Sequence, residues 1–256
     1  MKLHFKKFGA GNPILILHGL FGMSDNWISI AKNLAREYLV YVLDMRNHGR
    51  SPHVEEFTYS HMVEDVYEFL TDFNHRQVSI IGHSMGGKTA MKFAIEYPHR
   101  IKKLVIIDIS PKKYPIFHQE IIDSLLAINI NKLVSREQAD VQLAHQISNK
   151  RIRQFLLKNI YRKEDGSYTW RINLQVITKN ISEISCEIAS KIPFDQPTLF
   201  IKGGESQYIL EADEKQIQQQ FSNSKIITVP KTSHWIHSEA PDEVYSLIKD
   251  FLASED

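Results

Sequence analysis

Short apolar runs punctuate the chain at Ile14–Leu17, Leu39–Leu43, Val78–Ile81, Leu104–Ile109, Thr198–Ile201 and Ile226–Val229. Each is too short for a helix and is bounded by turn-forming residues, which predicts strands buried on both faces. Between them the apolar positions recur at helical spacing. Met62, Val63, Val66, Phe69, Leu70 and Phe73 mark one stripe, and Val244, Leu247, Ile248, Phe251 and Leu252 mark another. The second starts after Pro241, whose fixed φ suits a first helical position, and Asp242 and Glu243 lie beside the positive end of that helix.

Strands alternating with helices predict an α/β fold, a mostly parallel sheet with helices on both faces, because a parallel crossover needs a helix-sized connection. On such sheets ligands sit at the carboxyl ends of the strands. From Pro111 to Ile192 the alternation stops. Helical stripes such as Ile121, Ile122, Leu125 and Leu126, and then Arg151–Ile160, follow one another without a convincing strand. The expectation is a core made of residues 1–110 and 193–256, with a helical cap, 111–192, inserted in it. Asp165-Gly166 is a clear turn inside the cap, and no internal repeat is visible.

The 256 residues carry 31 basic and 30 acidic side chains, a formal charge of +1, with the charges scattered. That gives no support to a nucleic-acid or acidic-membrane partner. The single cysteine, Cys186, has no partner for an internal disulfide and reads as a packing residue. Met1–Pro13 holds Lys2, Lys6 and Lys7 but no apolar stretch of signal or membrane length. A soluble cytoplasmic protein, monomer or homodimer, is expected.

The candidate chemistry begins at Gly82-His83-Ser84-Met85-Gly86-Gly87, which leaves the Val78–Ile81 strand and enters a stripe of Ala90, Phe93, Ala94 and Tyr97. Strand, tight turn and helix are the context in which a Gly-x-Ser-x-Gly serine acts as a nucleophile. A serine held at such a bend has strained backbone geometry, and glycines two residues to either side remove side chains that would collide. The Met85 amide, at the start of the helix, is the first candidate donor to a developing oxyanion.

After the first long apolar run comes His18-Gly19-Leu20-Phe21-Gly22, a turn able to supply a second donor from the Leu20 amide. His18 itself reads as a brace of that turn rather than as a base. Thr232-Ser233-His234-Trp235-Ile236-His237 follows the last strand and precedes the last helix, which puts His234 on a loop at the carboxyl end of the sheet, where a general base belongs. His237 reads as helix-entry structure.

Taken together, His18-Gly19, Asp44-Met45-Arg46-Asn47-His48-Gly49-Arg50-Ser51, Gly82–Gly87 and Ser233–Glu239 resemble the α/β-hydrolases, in family order across nearly the whole chain. Within them the chain is similar to the small bacterial carboxylesterases of the YbfF type. The resemblance implies an acid after a later strand, at the fourth position of a Gly-x-x-Asp turn, where this chain reads Gly203-Gly204-Glu205-Ser206. Some relatives carry the acid one strand earlier, which points to Asp108 as the partner of His234. Its alternative is a capping role in the first turn of the cap, with Glu205 and Asp213 as fallback acids and Ser206 as a supporting residue. The Asp44–Ser51 segment supplies too few convergent ligands for a metal and reads as a loop brace.

The expected function is therefore hydrolysis of a small acyl ester by Ser84, His234 and Asp108, with Leu20 and Met85 holding the oxyanion and no cofactor or metal. Phe21, Tyr208 and Trp235 are candidate lining for an acyl chain, or else ordinary core aromatics. A thioester substrate, a carbon–carbon hydrolase, a cofactor-free haloperoxidase and a receptor that has lost turnover are the alternatives on the same residues.

Overall fold

The computed structural model describes residues 1–116 and 118–254; residue 117 of the expected cap and 255–256 of the expected core lie outside them. The strands are β1 (Phe5–Phe8), β2 (Pro13–Leu17), β3 (Leu39–Leu43), β4 (Val78–His83), β5 (Ile101–Ile107), β6 (Ile160–Arg162), β7 (Tyr168–Trp170), β8 (Thr198–Gly203) and β9 (Ser224–Val229). The helices of the first half are α1 (Ile28–Leu34), α2 (Tyr59–Asp72), α3 (Met85–Glu96), α4 (Gln119–Leu126) and α5 (Arg136–Ala144). Those of the second half are α6 (Lys150–Leu157), α7 (Leu174–Lys179), α8 (Ile181–Ile184), α9 (Glu211–Gln220), α10 (Ile236–Glu239) and α11 (Pro241–Ala253).

Seven strands form one sheet in the order β1-β3-β2-β4-β5-β8-β9. β1 runs antiparallel to β3, and the other pairings are parallel. Successive side chains of a strand point to opposite faces, and this sorts each apolar run between two layers. Leu15, Leu17, Ile80 and Leu104 join a cluster with α2 and α3; Ile14, Ile16, Ile81 and Val105 join a second cluster with α1 and α11. Burial on both faces is why these strands read as continuous apolar runs. α2 opens on Thr58, whose hydroxyl accepts from the His61 amide, and α11 opens on Pro241.

Three features depart from the sequence reading. β9 is the far edge strand of the sheet and only its Val229 is buried, so it is not the strand buried on both faces that its apolar run predicts. β1, Phe5-Lys6-Lys7-Phe8, is an edge strand, and its lysines break the apolar run that marks the inner strands. Between β5 and β8 the chain forms α4–α8 and also an antiparallel hairpin of β6 and β7. α6 ends at Leu157, so Ile160 opens β6 rather than closing a helix. Strands of three residues are too short for period-two alternation to show, whereas the turn between them holds Gly166 at φ 84°. Ile122, Leu143, Leu156 and Ile177 of this segment belong to the same apolar cluster as α2 and α3.

Candidate active site

Ser84 stands at the junction of β4 and α3 with φ 50° and ψ −117°, a conformation that costs energy in a residue other than glycine. The bend is held because the Ser84 amide donates to Ile107 O at 3.1 Å and the Lys88 amide to Ser84 O at 3.0 Å. The flanking glycines answer to contact. A Cβ on Gly82 would lie 2.4 Å from Gly86 O, and one on Gly86 would lie 2.3 Å from Leu17 O.

Ser84 Oγ donates to His234 Nε2 at 3.0 Å, and His234 Nδ1–H donates to Asp108 Oδ2 at 2.8 Å. All three residues are buried, with Asp108 wholly so. Asp108 leaves the end of β5 at φ 48°. Its carboxylate also accepts the Gly203 amide at 2.9 Å and the Ser206 hydroxyl. His234 is set by its loop: the Ser233 amide and hydroxyl donate to Glu239 at 2.6 and 2.8 Å, and His83 Nε2–H donates to the His234 carbonyl at 2.9 Å. A neutral imidazole donating from Nδ1 has its Nε2 lone pair free to take the serine proton.

Of the other carboxylates weighed for this position, the Asp213 carboxylate accepts from the Leu210 amide and from Lys112 Nζ, while Glu205 is exposed. Ser206 turns toward Asp108 and also accepts the Tyr208 amide at 3.2 Å.

The turn after β2 passes directly over the serine, since a Cβ on Gly19 would lie 3.1 Å from Ser84 Cβ. Among the described residues, the Leu20 and Met85 amides donate to nothing. Two histidines fix this turn with both ring nitrogens engaged. His18 Nδ1–H donates to Gly19 O and its Nε2 accepts the Met45 amide; His48 Nδ1–H donates to Arg46 O and its Nε2 accepts the Phe21 amide. Burial lowers the pKa of both, that of His48 to about 3, so each stays a neutral brace.

The rest of Asp44–Ser51 is likewise tied to the scaffold. Arg46 grips Asp65 of α2 at 2.7 and 2.8 Å, and Asp44 accepts the Ser24 and Arg50 amides. Among the described residues no group of three or more His, Cys, Asp or Glu side chains is placed to hold a metal ion, and no helix is long and apolar enough to cross a membrane.

Tyr208 stacks on His234 and lines a small cavity with Ser84, Met85 and Leu20. Trp235 meets His234 at a steep angle, with ring centroids 5.6 Å apart, and Phe21 is buried with its ring plane 67° from that of His118; neither lines the cavity. Tyr59, Tyr114 and His118 line it, and sequence reasoning had not singled them out. Burial, with His234 nearby, lowers His118 to about 4. No local motif marks these residues, because Tyr59 comes from the start of α2 and Tyr114 and His118 from the segment after β5, and only the folded chain brings them to the serine.

A sequence model for the alpha/beta hydrolase fold matches residues 12–241. The chain belongs to the α/β-hydrolase family. This α/β-hydrolase is 35% identical to Esterase YbfF of Escherichia coli strain K12 over 259 residues, spanning 98% of this chain and 99% of that one. It is 37% identical to the sn-1-specific diacylglycerol lipase ABHD11 of Danio rerio, over 95% of this chain and 79% of that protein. The solved structure of a marine microorganism esterase matches the α/β-hydrolase with a TM-score of 0.95 and 44% identity, covering 98% of this chain and 99% of that chain.

Proposed function

We propose that the chain is a serine esterase acting on short- to medium-chain carboxylic esters through a covalent acyl-enzyme. The observation that carries this reading is the unbroken relay from Ser84 through His234 to Asp108, beside two uncommitted backbone amides. Relatives with esterase and lipase names support an acyl ester as the substrate class.

In the first step Ser84 Oγ attacks the acyl carbonyl while His234 Nε2 takes its proton, and the carbonyl oxygen, now an oxyanion, accepts from the Leu20 and Met85 amides. The imidazolium, steadied by Asp108, gives that proton to the leaving alkoxide. Water then attacks the acyl-serine by the same route, which frees the acid and restores the hydroxyl. The same attack serves a thioester.

The cavity over Ser84 measures about 20 Å³, room for about one water molecule, whereas ligand sites ordinarily run to roughly 300 Å³ or more. Residues 111–192 therefore act as a lid over the core formed by 1–110 and 193–256, and must shift to admit an ester. Purified protein assayed with p-nitrophenyl acetate and butyrate should turn both over, and Ser84→Ala and His234→Ala should each lose about four orders of magnitude. A fluorophosphonate adduct mapped by mass spectrometry should sit on Ser84. Adduct on another residue, or no turnover by the wild type, overturns the reading.

A further inference from the structure

Lys88 follows Ser84 by one turn of α3, and only 1% of its surface is exposed. Among the described residues its ammonium reaches no carboxylate. It donates instead to two backbone carbonyls, Lys112 O at 2.7 Å and Cys186 O, and lies 4.8 Å from the centre of the Tyr114 ring.

The two carbonyls belong to the two ends of the proposed lid. Lys112 lies on the way in, after β5, and Cys186 on the way out, after α8. The ends pair with each other, because the Ile188 amide donates to Pro111 O at 2.8 Å and the Tyr114 amide to Ser185 O at 2.9 Å. Lys88 thus ties a two-stranded neck to the helix that carries the serine. From the neck the contacts run on to the imidazole: the Tyr114 hydroxyl donates to Tyr208 O, and Tyr208 lies on His234.

A buried ammonium is an expensive way to fill this space. Burial, with Lys112 close by, lowers Lys88 to about 8, so it is still charged at neutral pH although the fold disfavours the charge. An apolar side chain of similar volume would escape that penalty. Its advantage lies in what the charge holds, since a charged donor makes stronger bonds to carbonyls than a neutral one.

We propose that Lys88 is a positioning residue whose ammonium clips both ends of the 111–192 segment to α3 and so sets the aperture of the cavity over Ser84. The proposal rests on the esterase reading above. Its test compares wild type, Lys88→Met and Lys88→Arg on p-nitrophenyl acetate and octanoate, with kcat and KM measured separately. Loosening the neck should raise KM for acetate about tenfold in Lys88→Met, leave kcat within about threefold, and raise the octanoate-to-acetate ratio of kcat/KM at least tenfold. Lys88→Arg, which keeps a cation, should stay within about threefold of the wild-type ratio.

An unchanged ratio in folded Lys88→Met overturns the role of Lys88 and leaves the esterase reading standing. If Lys88→Met does not fold, a tenfold shift in Lys88→Arg overturns the role instead. A wild type that hydrolyses neither ester overturns both readings.

Discussion

The Tyr208 ring lies flat on the His234 imidazole, with ring centroids 3.7 Å apart and planes 13° apart. Stacking holds the imidazole plane while its two nitrogens face Ser84 and Asp108. In the proposed mechanism the π face of the phenol would also attract the imidazolium as it forms. Tyr208→Ala should therefore lower kcat on p-nitrophenyl acetate about tenfold, close to 1.4 kcal/mol of barrier. Tyr208→Phe, which keeps the ring, should stay within about threefold. A Phe variant as slow as the Ala variant would shift the effect from the ring to the hydroxyl.

Ser206 and Asp108 share a hydrogen bond, so a carboxylate placed at 206 comes close to the atom that orients His234. Asp108→Asn should cost about three to four orders of magnitude in kcat, since an amide cannot hold the same imidazole tautomer. Adding Ser206→Asp to that variant should recover at least about tenfold. Steady-state rates of the two variants decide it: no recovery means that position 206 cannot supply the acid.

Gly19 has no room for a methyl group. A Cβ there would meet His83 Nδ1 at 2.7 Å and Ser84 Cβ at 3.1 Å, and relief of that contact moves the turn that carries the Leu20 amide. Gly19→Ala should lower kcat on p-nitrophenyl acetate about a hundredfold with little change in KM, the signature of a lost oxyanion donor. A variant that raises KM and spares kcat would detach Leu20 from the oxyanion.

Acid should unfold this protein through its buried imidazoles. His48 and His237 are lowered to about 3, chiefly by burial, whereas in the unfolded chain each titrates near about 6.5. Below that pH the unfolded state binds protons that the native state does not. Their contribution is thus complete above about pH 6.5 and is lost as the pH falls toward the folded values. Each histidine adds about 1.4 kcal/mol of stability lost per pH unit in that window. Urea unfolding between pH 7 and 5 should show this slope, and His48→Gln should flatten it by one proton. An unchanged slope in that variant would mean that His48 is protonated in the native state.

Legibility in the sequence followed the physics of burial. The strands from β2 to β5, with β8, were visible because an inner strand of this sheet packs apolar side chains on both faces; β9 lies at the far edge and was visible only through Ile226, Ile227 and Val229. β1 escaped because an edge strand carries Lys6 and Lys7, and β6 and β7 because three residues set no period. Ser84 announced itself through the glycines that its bend demands, and His234 through its place after the last strand. Asp108 needed the family resemblance, since a lone aspartate at a strand end also suits a cap. Lys88, Tyr59, Tyr114 and His118 stayed silent. Their neighbours lie across long stretches of chain, such as the 98 positions between Lys88 and Cys186, and no local pattern encodes such meetings.

The imidazole and the hydroxyl it meets are 150 positions apart, and the aspartate and imidazole are 126 apart. Closing such loops comes late, because their entropy must be met before any contact offsets it. During synthesis the bend at Ser84 leaves the ribosome well before His234 has been translated. A growing polypeptide can form the elbow, yet it cannot bring Ser84, His234 and Asp108 together for the proposed relay until β9 has docked and the loop beyond it has settled.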